Sequence, residues 1–247
     1  MKQNEIDNIL KDFFCLNTIE KQKRIDEYIN FNLYQFGEDF FGEILKKEHD
    51  PICKWYAIKA LGELSSKKYL HILIDVLIEN DISFNDTSLH LITSVSIGKI
   101  GEVAINDLLV LLSSSYSTET QRAVVDTLGE IKSIKAIPYL IEKLKNGELS
   151  VALWAGLSLG KIGEGGNEII DIYKNLTQNL QIIALDALMM MKNVNYINFI
   201  ITKLKEHEEY IKLQKSKPTR AFGIFLDNLK LNGMIVEYNY LMGIING

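Results

Sequence analysis

The sequence predicts an all-α protein, an α-solenoid of about five stacked helix pairs closed by helical ends. Three observations predict it. A short stretch, Ala60-Leu61-Gly62-Glu63-Leu64, returns as Ser96-Ile97-Gly98-Lys99-Ile100, Thr127-Leu128-Gly129-Glu130-Ile131 and Ser158-Leu159-Gly160-Lys161-Ile162, then in decayed form as Ala187-Leu188-Met189-Met190-Met191. Its glycine column falls at Gly62, Gly98, Gly129 and Gly160, with Met189 in that place in the last copy. Recurrence at intervals of about 30 residues marks an array of helical units. The composition suits helix: Leu, Ile, Lys and Glu are abundant, and 247 residues hold only three prolines, Pro51, Pro138 and Pro218. No run of alternating apolar and polar residues is long enough to read as a strand.

The elements follow in order. In residues 4–16, Ile6, Ile9, Leu10 and Phe13 step at helical spacing; in 18–34, Ile25, Tyr28, Ile29 and Leu33 do the same, with Thr18 as N-cap. Residues 36–46 form a third short helix with Phe40, Phe41, Ile44 and Leu45. These segments lack the glycine motif, so residues 1–49 read as an N-terminal cap. Asp50-Pro51 opens the first clear unit, because Asp accepts free first-turn amides and Pro suits the first helical position. Its helix runs to Leu64, its partner over 67–80. Residues 81–86 are a polar connector that lengthens the first step. The further pairs are 86–100 with 103–112, 118–131 with 135–145, 150–162 with 168–176, and 180–191 with 195–205. Ser113-Ser114-Ser115 separates two of them. Residues 206–217 are the most polar stretch, a solvated helix or a linker. Pro218 then starts a helix over 219–231, Gly233 ends it, and 234–245 is a terminal apolar segment. The expected organisation is one continuous domain: a cap over 1–49, repeats over 50–205 and a cap over 206–247.

The repeat is legible in its columns. Five, two and one residues before the glycine, and two after, stand Ala57, Ala60, Leu61 and Leu64 in the first copy, and Ala155, Ser158, Leu159 and Ile162 in the fourth. These offsets share one helix face. Two columns are small and two large, so helices can approach closely while Leu and Ile fill the space between. A helical glycine costs about 1 kcal/mol against alanine. Its recurrence implies a use, either close backbone approach or a left-handed turn.

This pattern resembles HEAT repeats, and more narrowly the short repeats of the bilin-lyase family with an Ala-x-x-Ala-Leu-Gly-x-Ile core. Residues Ala57-Ile58-Lys59-Ala60-Leu61-Gly62-Glu63-Leu64 match that core closely, and 136–144 look like the companion helix. The resemblance covers roughly residues 50–205. The arginine that often precedes the core stands here only at Arg122. The resemblance implies a right-handed superhelix with a concave face, and it implies no activity, because the matching positions are packing positions.

The opposite stripe of the motif helices, at offsets −7, −3 and +1, would line that concave face. It carries Trp55, Lys59 and Glu63; Leu91, Val95 and Lys99; Arg122, Asp126 and Glu130; Leu153, Leu157 and Lys161; and Ile182, Asp186 and Met190. Apolar Trp55, Leu91, Val95, Leu153 and Leu157 stand where solvent would favour charge. Rimmed by Lys59, Arg122, Asp126, Glu130, Lys161 and Asp186, they read either as a partner-binding groove or as a face covered by the chain's own ends. Trp55 is the expected anchor, and Trp154 is expected between helices.

Several function classes are disfavoured. The net charge of −5 argues against a nucleic-acid binder. HEAT-like glycosylases need a basic concave face, and this stripe is mixed. HEAT-type deoxyhypusine hydroxylases hold iron with several His-Glu pairs; here only His207-Glu208 occurs, and His207 reads as solvated. No metal-ligand spacing joins His49, His71 and His90, and no cofactor or nucleophile–base set is assigned. Gly163-Glu164-Gly165-Gly166 lacks the lysine of a phosphate loop and reads as a turn. Cys15 and Cys53 read as core residues. No signal peptide or membrane span is found, so the expected location is cytoplasmic. The expected function is non-enzymatic binding of a partner protein through the concave face. The alternatives are an immunity protein neutralising a toxin domain, for which the partner would be basic, and a HEAT-fold enzyme of lyase or glycosylase type with its site in the groove.

Overall fold

A computed structural model describes residues 3–79, 87–113 and 116–246. The connector expected over 81–86, the start of the second motif helix at Asp86, and Ser114-Ser115 lie outside the described residues. Among those described the protein is all-helical, with no strand. No described helix is long and apolar enough to cross a membrane.

The chain divides into two compact units, Met1–Ile131 and Lys132–Gly247, so the first three motif copies lie in one and the last two in the other. The first unit opens with α1 (Gln3–Cys15) and α2 (Thr18–Lys47). Two helices expected over 18–46 are one continuous helix, in which Gly37 takes a positive φ. The N-cap of α2 is Asn17 rather than Thr18: the Asn17 side chain accepts the Glu20 amide, and Glu20 reaches back to the Asn17 amide. Then come α3 (Pro51–Glu63), α4 (Leu70–Ile78), α5 (Thr87–Ile100), α6 (Ile105–Ser113) and α7 (Thr118–Ile131). Asp50 caps α3 as expected, its carboxylate accepting the Cys53 amide at 2.8 Å.

The second unit holds α8 (Ile137–Asn146), α9 (Leu149–Ile162), α10 (Gly166–Tyr173), α11 (Gln178–Met190) and α12 (Ile197–Leu204), then α13 (Glu208–Leu213), α14 (Arg220–Leu231) and α15 (Ile235–Asn246). Pro138 sits in the first turn of α8, where its missing amide does no harm. Gly163 and Gly165 both take left-handed φ, so that segment is the expected turn.

Motif helices pack on motif helices. In the first unit α2, α3, α5 and α7 form one layer, each against the next; in the second α9, α11 and α14 do so. The two small columns and the leucine column are buried throughout, from Ala57, Ala60 and Leu61 to Ala184, Ala187 and Leu188. Of the outer column only Ile100 is buried; Leu64, Ile131, Ile162 and Met191 are half-exposed.

The glycine column serves close approach. A Cβ on Gly62 would stand 2.6 Å from the Ser96 Cβ and 2.7 Å from its Cα. On Gly98 it would stand 2.7 Å from the Glu130 Cβ, and on Gly160 2.7 Å from the Met190 Cβ. The left-handed turn exists too, but three residues later. Ser65, Gly101, Lys132, Gly163 and Lys192 all have positive φ, one per copy. After the first copy the Ser65 and Ser66 amides bond back to the carbonyls of Gly62 and Leu61, closing the helix end.

This geometry gives two glycines opposite responses to the same substitution, both read by urea unfolding. Gly62→Ala should lower the unfolding free energy by about 1–2 kcal/mol, because overpacking against backbone outweighs the gain in helix propensity. Gly223→Ala in α14, where nothing lies within 4 Å of the new Cβ, should raise it by about 0.5–1 kcal/mol.

Candidate partner-binding face

The expected wall residues are described unit by unit. In the first, Trp55 and Lys59 are one turn apart on α3 and both half-buried. The Lys59 ammonium lies 5.5 Å from the Trp55 ring centroid, and Tyr56 meets the same ring edge-on at 5.1 Å. A cation over an indole face contributes about 0.5–1 kcal/mol and fixes the ring's orientation. On α5, Leu91 is 56% exposed and Val95 half-buried. Glu63 and Lys99, one turn further along neighbouring helices, pair across the α3–α5 seam. On α7, Arg122 and Glu130 are half-buried, while Asp126 is only 5% exposed and so is no open rim charge.

In the second unit Leu153 on α9 is 42% exposed, and Leu157 and Lys161 are half-buried. The last copy differs. Asp186 on α11 does not face open solvent: the Tyr210 hydroxyl of α13 donates to its Oδ1 at 2.5 Å. Burial raises the Asp186 pKa to about 6, against the lowering effect of hydrogen bonds from Tyr210 and Thr219. Ile182, one turn earlier, lines a cavity of about 350 Å³ with Gln178, His207, Tyr210 and Leu213. That stripe of α11 therefore meets the chain's C-terminal segment at Asp186 and Ile182.

His207 corrects another expectation. It is 6% exposed rather than solvated. Its Nε2 lies 3.0 Å from the Tyr173 hydroxyl, and its Nδ1 is buried without a partner. Burial lowers its pKa, so the ring is held neutral. A signal was available: Leu204, His207, Ile211 and Gln214 step by three, four and three residues, and all four are buried.

Of the cysteines, Cys15 is exposed, not core, while Cys53 is fully buried. Burial and the Asp50 carboxylate push the Cys53 thiol up to about 12, which removes thiolate chemistry at neutral pH. Trp154 is half-buried. Among the described residues no three His, Cys, Asp or Glu side chains gather closely enough to hold a metal ion. No protein-family model and no curated protein matches this chain.

His207 gives a signed pH test. A histidine whose folded pKa is lowered contributes stability that is complete above its ordinary value of 6.5 and is lost as pH falls through the folded value. Between about pH 7 and pH 5 the thermal midpoint of the wild type should therefore fall relative to that of His207→Phe. A pH-independent difference between the two would mean that the ring is not buried in its neutral form.

Proposed function

We propose that this chain is a HEAT-like α-solenoid that binds a partner protein through the concave stripe of its motif helices. The observation that carries the reading is the exposure of Leu91 and Leu153 at the same offset of two motif copies, where a closed fold would place charge. Half-buried Trp55 and Val95 extend that stripe within the first unit, and half-buried Leu157 within the second. The packing supports it. In the first unit α3, α5 and α7 pack on one another in succession, while the companions α4 and α6 show no comparable packing on each other among the described residues. An array packed more closely in its motif layer would curve toward that layer, which is the sense of curvature this reading needs.

Each unit offers its own portion of the wall. In the first, Trp55 supplies a rigid aromatic surface already oriented by Lys59 and Tyr56, so little freedom is lost when a partner covers it. Leu91 and Val95 supply apolar area beside it. Lys59, Arg122 and Glu130 form the polar surround that sets register more than affinity. The acidic excess of the chain, net −5, favours a basic partner through faster encounter.

The reading is tested by capture from the native host with three baits: wild type, a Trp55→Ala/Leu91→Ala double variant, and Val110→Ala. Val110 is an exposed apolar residue of α6, away from the motif layer. A partner of this face should bind the double variant at least about tenfold more weakly, as expected for loss of a hot spot, and should bind Val110→Ala as it binds wild type. Equal capture by all three baits sinks the assignment of the face. A large drop in the double variant's melting temperature would instead make Trp55 a core residue.

A further inference from the structure

We propose that the contact of Asp186 with Tyr210 and Thr219 is a releasable catch, holding the C-terminal helices α13 and α14 over the last motif copy's share of the wall and opening when Asp186 ionises. The inference deepens the partner-binding reading, on which it rests for its purpose, though not for its mechanics.

The geometry is that of a latch. α14 packs on α11 in the place where a further motif helix would lie. The joint between α13 and α14 is tied to α11 through one polar cluster. The Tyr210 hydroxyl donates to Asp186 Oδ1 at 2.5 Å and lies 3.2 Å from Thr219 Oγ1. Thr219 Oγ1 caps α14 by accepting the Phe222 amide at 3.2 Å. Gln214 fastens the same joint, its Oε1 accepting the Thr219 amide at 2.7 Å and its Nε2 donating to the Tyr210 carbonyl at 3.1 Å. The cluster therefore links an α11 carboxyl, the body of α13 and the first turn of α14.

Among the described residues no cation offsets the carboxylate. Asp186 is the only acidic or basic residue on α11. On α13, Glu208 and Glu209 pair with Lys212 at the surface. On α14, Arg220, Asp227 and Lys230 are exposed, and on α12 Lys203 pairs with Glu206. On α9 the only charged side chain is Lys161, in the last turn. On α10, Glu168 and Asp171 are exposed and Tyr173 meets His207; on α8, Glu142 and Lys145 are exposed and Lys143 is half-buried. Tyr210 and Thr219 are the groups that bond to the carboxyl, and both are neutral. Neutral Asp186 is well accommodated there; its anion is desolvated with hydroxyl donors alone.

The sign follows from burial. Asp186 has a raised folded pKa of about 6 against an ordinary 3.8, so its contribution to closure is complete below the ordinary value and is lost as pH rises through about 6. His207, at the start of α13, acts in the opposite sense, because its protonation at lower pH loosens the same segment. The Asp186 effect must accordingly be read as a ratio between wild type and a variant that keeps His207.

Hydrogen–deuterium exchange on the full chain tests this without any partner. Wild type and Asp186→Asn are compared from about pH 5 to pH 8, with rates corrected for intrinsic exchange. The ratio of wild-type to variant opening constants for the amides of α13 and α14 should rise about tenfold across that range, while that of α9 amides stays constant. Tyr210→Phe should steepen the rise, since the anion then loses a donor. A ratio that does not change with pH overturns the catch, and so does an equal rise in α9, which would mean global unfolding. Capture by the first unit's Trp55 and Leu91 is a separate measurement, so a failed catch and a failed binding face are distinguishable.

Discussion

The fold depends on how closely its motif helices approach one another. Gly62 against Ser96, Gly98 against Glu130 and Gly160 against Met190 each leave less than 3.0 Å for a Cβ that is not there. Distances that short leave no room for a side chain at the glycine unless its neighbours shift. They explain why Ala60, Ser96, Thr127, Ser158 and Ala187 recur two residues earlier, all buried. Where that column carries a hydroxyl in the third copy, the hydroxyl is satisfied locally: Thr127 donates to the Ala123 carbonyl at 2.7 Å and lies 3.0 Å from the Ser94 hydroxyl. A buried threonine bonded to its own helix incurs little desolvation penalty and keeps the column small.

Close approach also bears on the face opposite the packing stripe. Small residues on the packing stripe draw the motif helices together, so the opposite stripes of neighbouring copies come to lie side by side. On α5, Leu91 is exposed while Thr93, Ser96, Ile97 and Ile100 of its packing stripe are buried. The Glu63–Lys99 pair spans the resulting seam. An exposed pair of this kind contributes about 0–1 kcal/mol and marks alignment more than strength.

What was legible in the sequence was what repeats with one residue type. The columns at 57, 60 and 61 and their copies could be read because each keeps one size class, and they are buried as expected. The left-handed column three residues after the glycine was not read, although it recurs in every copy. Ser65, Gly101, Lys132, Gly163 and Lys192 share a backbone conformation and no side-chain property. A turn that lets the chain reverse can impose positive φ on lysine at a cost of about 1 kcal/mol, so residue identity carries little of that signal. Residues 18–46 read as two helices in the sequence but form one, which runs through Gly37 at positive φ. The offset of Asp186 alone places it on the expected wall. Its cover comes from Tyr210 and Thr219, which no periodicity connects to it.

The two ends of the repeats are closed by different chemistry, and the difference bears on which end can open. At the N-terminal end α2 lies on α3 behind a cluster of rings: Tyr28, Phe36, Phe40 and Phe41 stack in sequence at centroid separations of 4.4–5.3 Å. Tyr69, entering α4, lies against Gly42 so closely that a Cβ there would sit 2.1 Å from the ring. Its hydroxyl donates to Asp39 at 2.9 Å. Buried aromatic area of this kind does not change with pH, and releasing it exposes several rings at once. At the C-terminal end Phe222 and Phe225 bury α14, but the joint beside them is held by a carboxyl, a phenol, a hydroxyl and an amide. Polar clusters in a low-dielectric setting hold firmly in one protonation state and weakly in the other. A chain that needed only to close its last copy could have used leucine in place of Asp186 and phenylalanine in place of Tyr210. The Tyr69–Asp39 pair has Lys68 beside it, which holds the Asp39 carboxyl below its ordinary range; the Asp186 carboxyl is buried against hydroxyl donors alone and pushed up to about 6, and that difference is what separates a hinged end from a sealed one.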